Sequence, residues 1–274
     1  MPELPEVETV VRGLRENLIG LTLAEVICRY PKINRDNPRG WRQSLKDRRF
    51  IDVRRRGKNI LIDLSDGLTL WVHLKMTGHF HLPPADTPPG RHDLVLFKLR
   101  DQDRQLRFQD TRRFGRVRLF PTETVMEQKG LVDLGPEPLE IKRPDFLALT
   151  RRSSRMIKPA LLDQRFLAGI GNIYADESLF RAKIHPRRKT DQISGRKLNA
   201  LHEAIRDILT TAIENMGTTV DSYAGINGEA GGFQSYLRVY GRAGQACNNC
   251  GTAIQREIIA SRSSHFCPRC QRFN

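Results

Sequence analysis

The chain predicts an α+β fold: an N-terminal β-sandwich with an N-terminal helix, then a helical domain ending in a zinc-ribbon β-hairpin. Three observations predict it. Short apolar, β-branched runs recur up to residue 120 with turn residues between them. Helical periodicity takes over from residue 143. Four of the five cysteines lie in the last 28 residues, as two Cys-x-x-Cys pairs.

The first helix is read from Val7, Val10, Val11, Leu14 and Leu18, which share one helical face, with Gly20 as the stop. Pro2 then precedes the helix, and Glu3 and Glu6 lie in its first turn. Met1 before a small residue is a substrate for removal, which leaves Pro2 with a secondary α-amine. Such an amine can attack carbonyl carbon and form an iminium. Its ordinary pKa of roughly 8, against about 10.4 for lysine, leaves a neutral fraction at pH 7. The positive end of the helix dipole disfavours the ammonium further, and Glu3 is a carboxyl group one residue away, placed to move protons.

Strands are predicted at 21–28, 49–54, 59–64, 68–74, 93–99, 105–109 and 116–120, with tight turns at Ser65-Asp66-Gly67 and Asp101–Arg104. The proline-rich stretch 82–91 reads as a surface loop. Leu134-Gly135-Pro136-Glu137-Pro138 marks a break, so the first domain is set at 2–134. Helices follow at 143–151, 157–164, 173–182 and 194–215, in a second domain set at 135–236. Its segment 217–232 holds five glycines and reads as a mobile or ligand-ordered loop. The third domain is 237–274.

That last domain carries Cys247, Cys250, Cys267 and Cys270, with sixteen residues between the pairs. The spacing suits one tetrahedral, closed and therefore structural Zn2+. Its hairpin presents Arg256 and Arg262 for phosphate contact. Lone Cys28 reads as a core residue. Clustered cysteines are metal arithmetic rather than a secreted disulfide framework, which suits a reducing cytoplasm.

Lys plus Arg total 46 against 31 Asp plus Glu, a net of +15, with the larger excess after residue 140. That points to a polyanion, most simply nucleic acid. No apolar run of spanning length and no long basic amphipathic helix favours a membrane. No signal peptide is visible, since the N-terminus is acidic. In Leu167-Ala-Gly-Ile-Gly171 the glycines permit a tight double turn, and Asn172 is placed to cap the next helix and cradle phosphate. Cations gather around it at Arg151, Arg152, Arg155, Arg187, Arg188 and Lys189. Arg54–Asn59, His73–Gly78 and Asp110–Gly115 are further turns. Together they supply cations and a Met/Phe pair able to wedge into a base stack.

These motifs taken together resemble the bacterial formamidopyrimidine-DNA glycosylases. The match runs through PELPEVET, RRGK, HLKMTG, His92-Asp93, RRFG, LGPEPL, LLDQRFLAGIGNIYADE, VYGRAG and FCPRCQ, and so covers essentially the whole chain. The resemblance implies excision of oxidised purines such as 8-oxoguanine from duplex DNA, followed by strand cleavage. Pro2 would attack C1′ and form a Schiff base, and Glu3 would be the acid/base group for sugar-ring opening. Lys58 would contact phosphate and assist β-elimination; Arg262 would bind phosphates and assist δ-elimination. Met76, Arg112 and Phe114 would fill the space of the everted base. His92, Asn172 and the arginines around Arg152 would bind backbone, and 217–232 would close over the flipped base.

The implied partner is damaged double-stranded DNA, with no membrane, for a monomer in the bacterial cytoplasm at the nucleoid. Three positions depart from the family pattern: Leu94, Thr111 and Met216, the last standing where glycine usually precedes Gly-Thr-Thr. Two rivals are weighed. An endonuclease VIII-type enzyme for oxidised pyrimidines usually begins PEGPE and lacks the Met/Arg/Phe wedge. A non-catalytic zinc DNA-binding protein would not need a free N-terminal proline.

Overall fold

The structure is a computed structural model and describes residues 1–34, 36–219, 225, 226 and 228–273. It divides into two compact units, Met1–Val132 with Asn215–Gly232, and Asp133–Glu214 with Phe233–Asn274. Among the described residues no helix is long and apolar enough to cross a membrane.

The first unit opens with α1 (Leu4–Leu18), whose predicted apolar face is buried. Glu3 is its N-cap, and a reciprocal capping box links Glu3 and Glu6, satisfying two of the amides a helix N-terminus leaves open. Gly20, at φ +86°, turns the chain out of the helix. Eight strands follow: β1 (Leu23–Cys28), β2 (Phe50–Arg56), β3 (Asn59–Leu64), β4 (Leu68–His73), β5 (Gly78–His81), β6 (Asp93–Leu99), β7 (Gln105–Asp110) and β8 (Arg116–Pro121). A one-turn helix, α2 (Trp41–Ser44), lies between β1 and β2.

The strands form two antiparallel sheets, ordered β1-β6-β7-β5 and β2-β3-β4-β8. Val26, Phe97 and Phe108 of one sheet and Val53, Ile62 and Val72 of the other enter a single core with the α1 face. Each such side chain contributes roughly 1.5–3 kcal/mol on burial. Asp66 and Gly67, both at positive φ, make the β3–β4 turn in the sense that matches strand twist. β5 was not predicted. It is four residues long with one large apolar side chain, Phe80, too little alternation to read.

The sequence groups 217–232 with the helical domain, whereas the structure groups Asn215–Gly232 with the first unit. The physical reason is local. Ile226 joins the sandwich core, packing so near Gly13 of α1 that a Cβ there would meet its Cγ2 at 2.6 Å. Residues 220–224 and 227 of the predicted loop lie outside the described residues.

The second unit contains α3 (Arg143–Arg151), α4 (Ile157–Leu162), α5 (Asn172–Arg181) and α6 (Gly195–Glu214), then the hairpin β9 (Gln255–Ile259) and β10 (Arg262–Phe266). The α4–α5 connection is organised by Gln164. Its amide donates to the carbonyls of Leu162 (3.0 Å) and Ile170 (2.9 Å) and accepts from the Gly169 amide (2.9 Å). Gly169, at φ +89°, supplies the left-handed residue the double turn requires.

Candidate functional site

In the first unit Pro2 is buried, and the Glu3 and Glu6 side chains after it are only 4% and 1% exposed. The Glu3 amide donates to Glu6 Oε2 at 2.8 Å, and the Thr218 amide donates to Glu6 Oε1, also at 2.8 Å. Glu6 thus ties the N-terminal turn to the start of the glycine-rich segment. The sequence marked Glu6 only as a first-turn acid. Its second partner is 212 residues away, and no local pattern announces it.

Lys58 lies in the two-residue β2–β3 turn and is buried, at 6% exposure. The four cations of that hairpin end do not act alike. Arg54 pairs with Asp63 at 2.6 Å and Arg55 with Glu8 at 3.0 Å, so both serve the fold. Asn59 locks the turn, donating to the Arg56 carbonyl (3.0 Å) and accepting from Trp71 Nε1 (2.8 Å). His73, at the end of β4, is not marked as a site residue by the sequence. Burial first, then the charges of Lys75, Lys58 and Arg116, push its pKa down to about 3. Its Nδ1 accepts the Lys75 amide at 3.0 Å, which leaves Nε2 as the N–H donor of a neutral ring.

Two turns carry the predicted wedge, and one buried carboxylate joins them. Asp110 accepts the Thr77 hydroxyl, the Arg112 amide (3.1 Å) and the Gly115 amide (2.7 Å). The Thr77 Oγ also accepts the Arg112 amide at 3.1 Å. Met76 and Phe114 stand out at 43% and 50% exposure, and the Arg112 guanidinium sits 5.1 Å from the Phe114 ring centre. Gly115 has no room for a side chain, since a Cβ would lie 2.7 Å from Phe108. The structure therefore brings Met76, Arg112 and Phe114 together on an anchored platform.

His92 is half-buried beside this platform, its carbonyl accepting the Asp110 amide at 3.0 Å. Its neighbour Asp93 is buried. Desolvation opposes its ionisation, but His81, the Gly90 amide and Arg107 outweigh it and hold its pKa below the usual carboxylate value.

In the second unit Asn172 occupies the first helical position of α5, with Gly171 as N-cap, so the predicted side-chain cap is not formed. The Asn172 amide instead reaches Ser263 Oγ at 3.3 Å, and its buried Oδ1 has no hydrogen-bond partner among the described residues. This contact brings Asn172 to the residue beside the exposed Arg262. Lys158 fixes the same strand, donating to the Ser263 carbonyl and meeting Asp176 Oδ1, both at 2.6 Å. Asp176 Oδ2 accepts the His265 amide at 2.9 Å. Arg152 is exposed at the end of α3. Of the other gathered cations, Arg155 is paired with Asp163 (2.8 Å) and Arg187 with Glu257 (2.9 Å).

The four predicted cysteine ligands converge, all sulfurs lying within 4.8 Å of one another. Sγ separations are 3.5 Å for Cys250–Cys267, 3.6 Å for Cys250–Cys270 and 4.0 Å for Cys247–Cys270. A tetrahedron with Zn–S of 2.3 Å has edges of roughly 3.8 Å, so the residues fit the ion. Without a cation, burial and then the neighbouring thiols push the Cys270 pKa up to about 12. Four protein ligands close the site, so the ion's task is to hold the hairpin.

Three family models match consecutive parts of the chain. They are the formamidopyrimidine-DNA glycosylase N-terminal domain at 1–117, the formamidopyrimidine-DNA glycosylase H2TH domain at 134–224, and a zinc finger found in FPG and IleRS at 244–272. The formamidopyrimidine-DNA glycosylase of Pelotomaculum thermopropionicum is 46% identical over 276 residues, covering 99% of both chains. That of Lactiplantibacillus plantarum is 44% identical, over 99% of this chain and all of its own. Among solved structures, a Lactococcus lactis FPG variant bound to Fapy-dG-containing DNA superposes with TM-score 0.93 at 36% identity, over 99% of this chain and all of the other. The wild-type Lactococcus lactis protein with DNA containing an oxidised pyrimidine gives 0.91 over the same shares. On sequence and fold alike, this chain belongs to the formamidopyrimidine-DNA glycosylase family.

Proposed function

We propose that the chain, a DNA repair glycosylase and AP lyase for oxidised purines, works through a Schiff base on Pro2. The observation that carries this reading is the N-terminal turn, where a buried Pro2 is followed by two buried carboxylates, Glu3 and Glu6, the second bonded to the Glu3 amide. While Met1 is attached, the Pro2 nitrogen is an amide and cannot attack, so removal of Met1 is part of the proposal.

The freed amine attacks C1′ of the damaged nucleotide, and the base departs with the glycosidic electron pair and takes up a proton. Glu3 gives a proton to the sugar-ring oxygen as the ring opens, which leaves an iminium between Pro2 and C1′. Loss of a C2′ proton then expels the 3′ phosphate, with Lys58 against the phosphate. A second elimination expels the 5′ phosphate, with Arg262 as its partner. Met76, Arg112 and Phe114 fill the gap of the everted base and offset part of the few kcal/mol that extrusion costs. His92, Arg152 and Asn172 hold backbone phosphates, Asn172 through its side-chain N–H groups. The expected closure of 217–232 over the flipped base falls in part on residues outside the described ones; its start is tied through Thr218 to Glu6. The N-terminal part with 215–232, the helical part and the zinc hairpin divide the work into chemistry, DNA grip and zinc-held phosphate contact. The enzyme acts as a monomer in the bacterial cytoplasm, at the nucleoid.

The test is excision from duplexes bearing 8-oxoguanine opposite cytosine or an oxidised pyrimidine, by the wild type and by Pro2→Gly. The expected result is preference for the 8-oxoguanine duplex and loss of strand cleavage in the variant. Unchanged cleavage by Pro2→Gly overturns the nucleophile. Preference for the pyrimidine duplex keeps the mechanism and overturns the substrate.

A further inference from the structure

A cleft of about 120 Å³ in the second unit has no place in the chemistry above. Ile184, His185, Arg188, Gln192, Ile193, Ser194, Lys197 and Arg272 line it. It lies past the C-terminal end of α5, whereas Asn172 opens that helix, so the length of α5, roughly 15 Å, separates the two.

Its charge is one-signed. Among the described residues no carboxylate forms an ion pair with Arg188, Lys197 or Arg272, and none lines the cleft. Arg188 is fixed by the Phe273 carbonyl and Lys197 by the Lys183 carbonyl at 3.3 Å, so both hold position without losing charge. Nearby Glu257 is taken by Arg187. Lys197 also sits in the first turn of the twenty-residue α6, which holds no acid there, so the helix dipole adds to the positive potential. Gln192 and Ser194 add uncharged polar groups, and the remaining three lining residues are apolar or aromatic. Ile184 and Ile193 are buried, and the His185 ring packs edge-on against Phe266 and Phe273 at 4.6 and 5.0 Å. Burial holds His185 below its ordinary pKa, which keeps that wall neutral.

Three cations around an aliphatic floor fit a ligand with carboxylates beside an apolar side chain. A duplex offers phosphates on a convex ridge and nothing apolar to fill the floor. We propose that this cleft is a docking site for an acidic peptide segment of a partner protein, whose aliphatic side chain enters between Ile184 and Ile193 while its carboxylates meet Arg188, Lys197 and Arg272.

The probe is the fluorescein-labelled peptide Asp-Glu-Asp-Glu-Leu, titrated with the full-length, zinc-loaded protein and followed by anisotropy. The expected result is saturable binding that weakens about tenfold when the leucine is replaced by serine. Lys197→Glu, on the helix surface, weakens it by about the same factor, while cleavage of lesion-bearing duplex stays at the wild-type rate. Arg272→Ala serves as a second variant, with zinc content measured because Cys270 is near. Equal affinity for the leucine and serine peptides overturns the proposal, since that is adhesion to a basic surface. So does binding indifferent to both variants, or complete displacement of the peptide by undamaged duplex.

Discussion

The β2–β3 hairpin ends at Gly57-Lys58 and the β9–β10 hairpin at Ala260-Ser261, and each brings a cation to its end. Behind the first stand α1, two sheets and a continuous apolar core, with Asn59 and Trp71 bonded across the strands. Lys58 is accordingly buried. Behind the second is a small cluster of Phe180, Val239, Ile254 and the cysteines themselves, and Arg262 is exposed. The comparison teaches how a chain fixes a basic group where apolar surface runs short. Four thiolates around one ion, with the Lys158–Asp176–His265 network beneath, replace a core that some thirty residues cannot build.

The largest effect that would break this comparison is loss of zinc. Structural zinc sites contribute about 10–16 kcal/mol in small fingers. Chelation, or Cys267→Ser, is expected to expose the β9–β10 amides to hydrogen exchange and abolish tight DNA binding. Amides of β3 and β4 should keep their protection. Equal loss in both units would show that they do not owe their rigidity to different sources.

Next in size is Asp110→Ala. A buried donor left without its acceptor costs roughly 1–3 kcal/mol, which applies to the Gly115 amide; the Thr77 hydroxyl loses its acceptor at a half-buried site, and the Arg112 amide keeps Thr77 Oγ. Urea unfolding should register the loss. Excision opposite cytosine and opposite adenine should converge, because Arg112 and Phe114 no longer share a fixed platform with Met76.

A pH series sharpens the same point at His73. Its folded pKa of about 3 lies below the ordinary 6.5, so between those values the unfolded chain binds the extra proton. The stability it contributes is complete above pH 6.5 and is lost as pH falls toward 3. His73→Gln should flatten that part of the wild-type profile, and a parallel profile would contradict the assignment.

The smallest effect is expected at Met216, a non-glycine residue at φ +58°. Met216→Gly removes a left-handed strain of about 1 kcal/mol and should raise the denaturation midpoint.

Much of this was legible in the sequence, for stated reasons. Val7 through Leu18 repeat at helical spacing, and α3 to α6 begin and end within about two residues of the predicted bounds. The cysteine spacing specifies four ligands outright. What was not legible is non-local or short. Glu6 meets Thr218 and Gly13 meets Ile226 only after folding, so neither the loop's allegiance to the first unit nor the role of Glu6 could be read along the chain. β5 is too short to show a period. Asn172 read as a cap because its residue type suits one, but Gly171 takes that position and leaves the amide for Ser263. Arg55 and Arg155 counted toward a basic surface, yet each answers a carboxylate that only the fold brings near.

The most direct test of the account is borohydride trapping. The purified protein is mixed with a duplex carrying one 8-oxoguanine opposite cytosine, reduced, digested and mapped by mass spectrometry. The account predicts one covalent DNA adduct on the Pro2 nitrogen, in molecules that have lost Met1. An adduct on Lys58 or another lysine, or no adduct despite salt-sensitive binding to the same duplex, would contradict it.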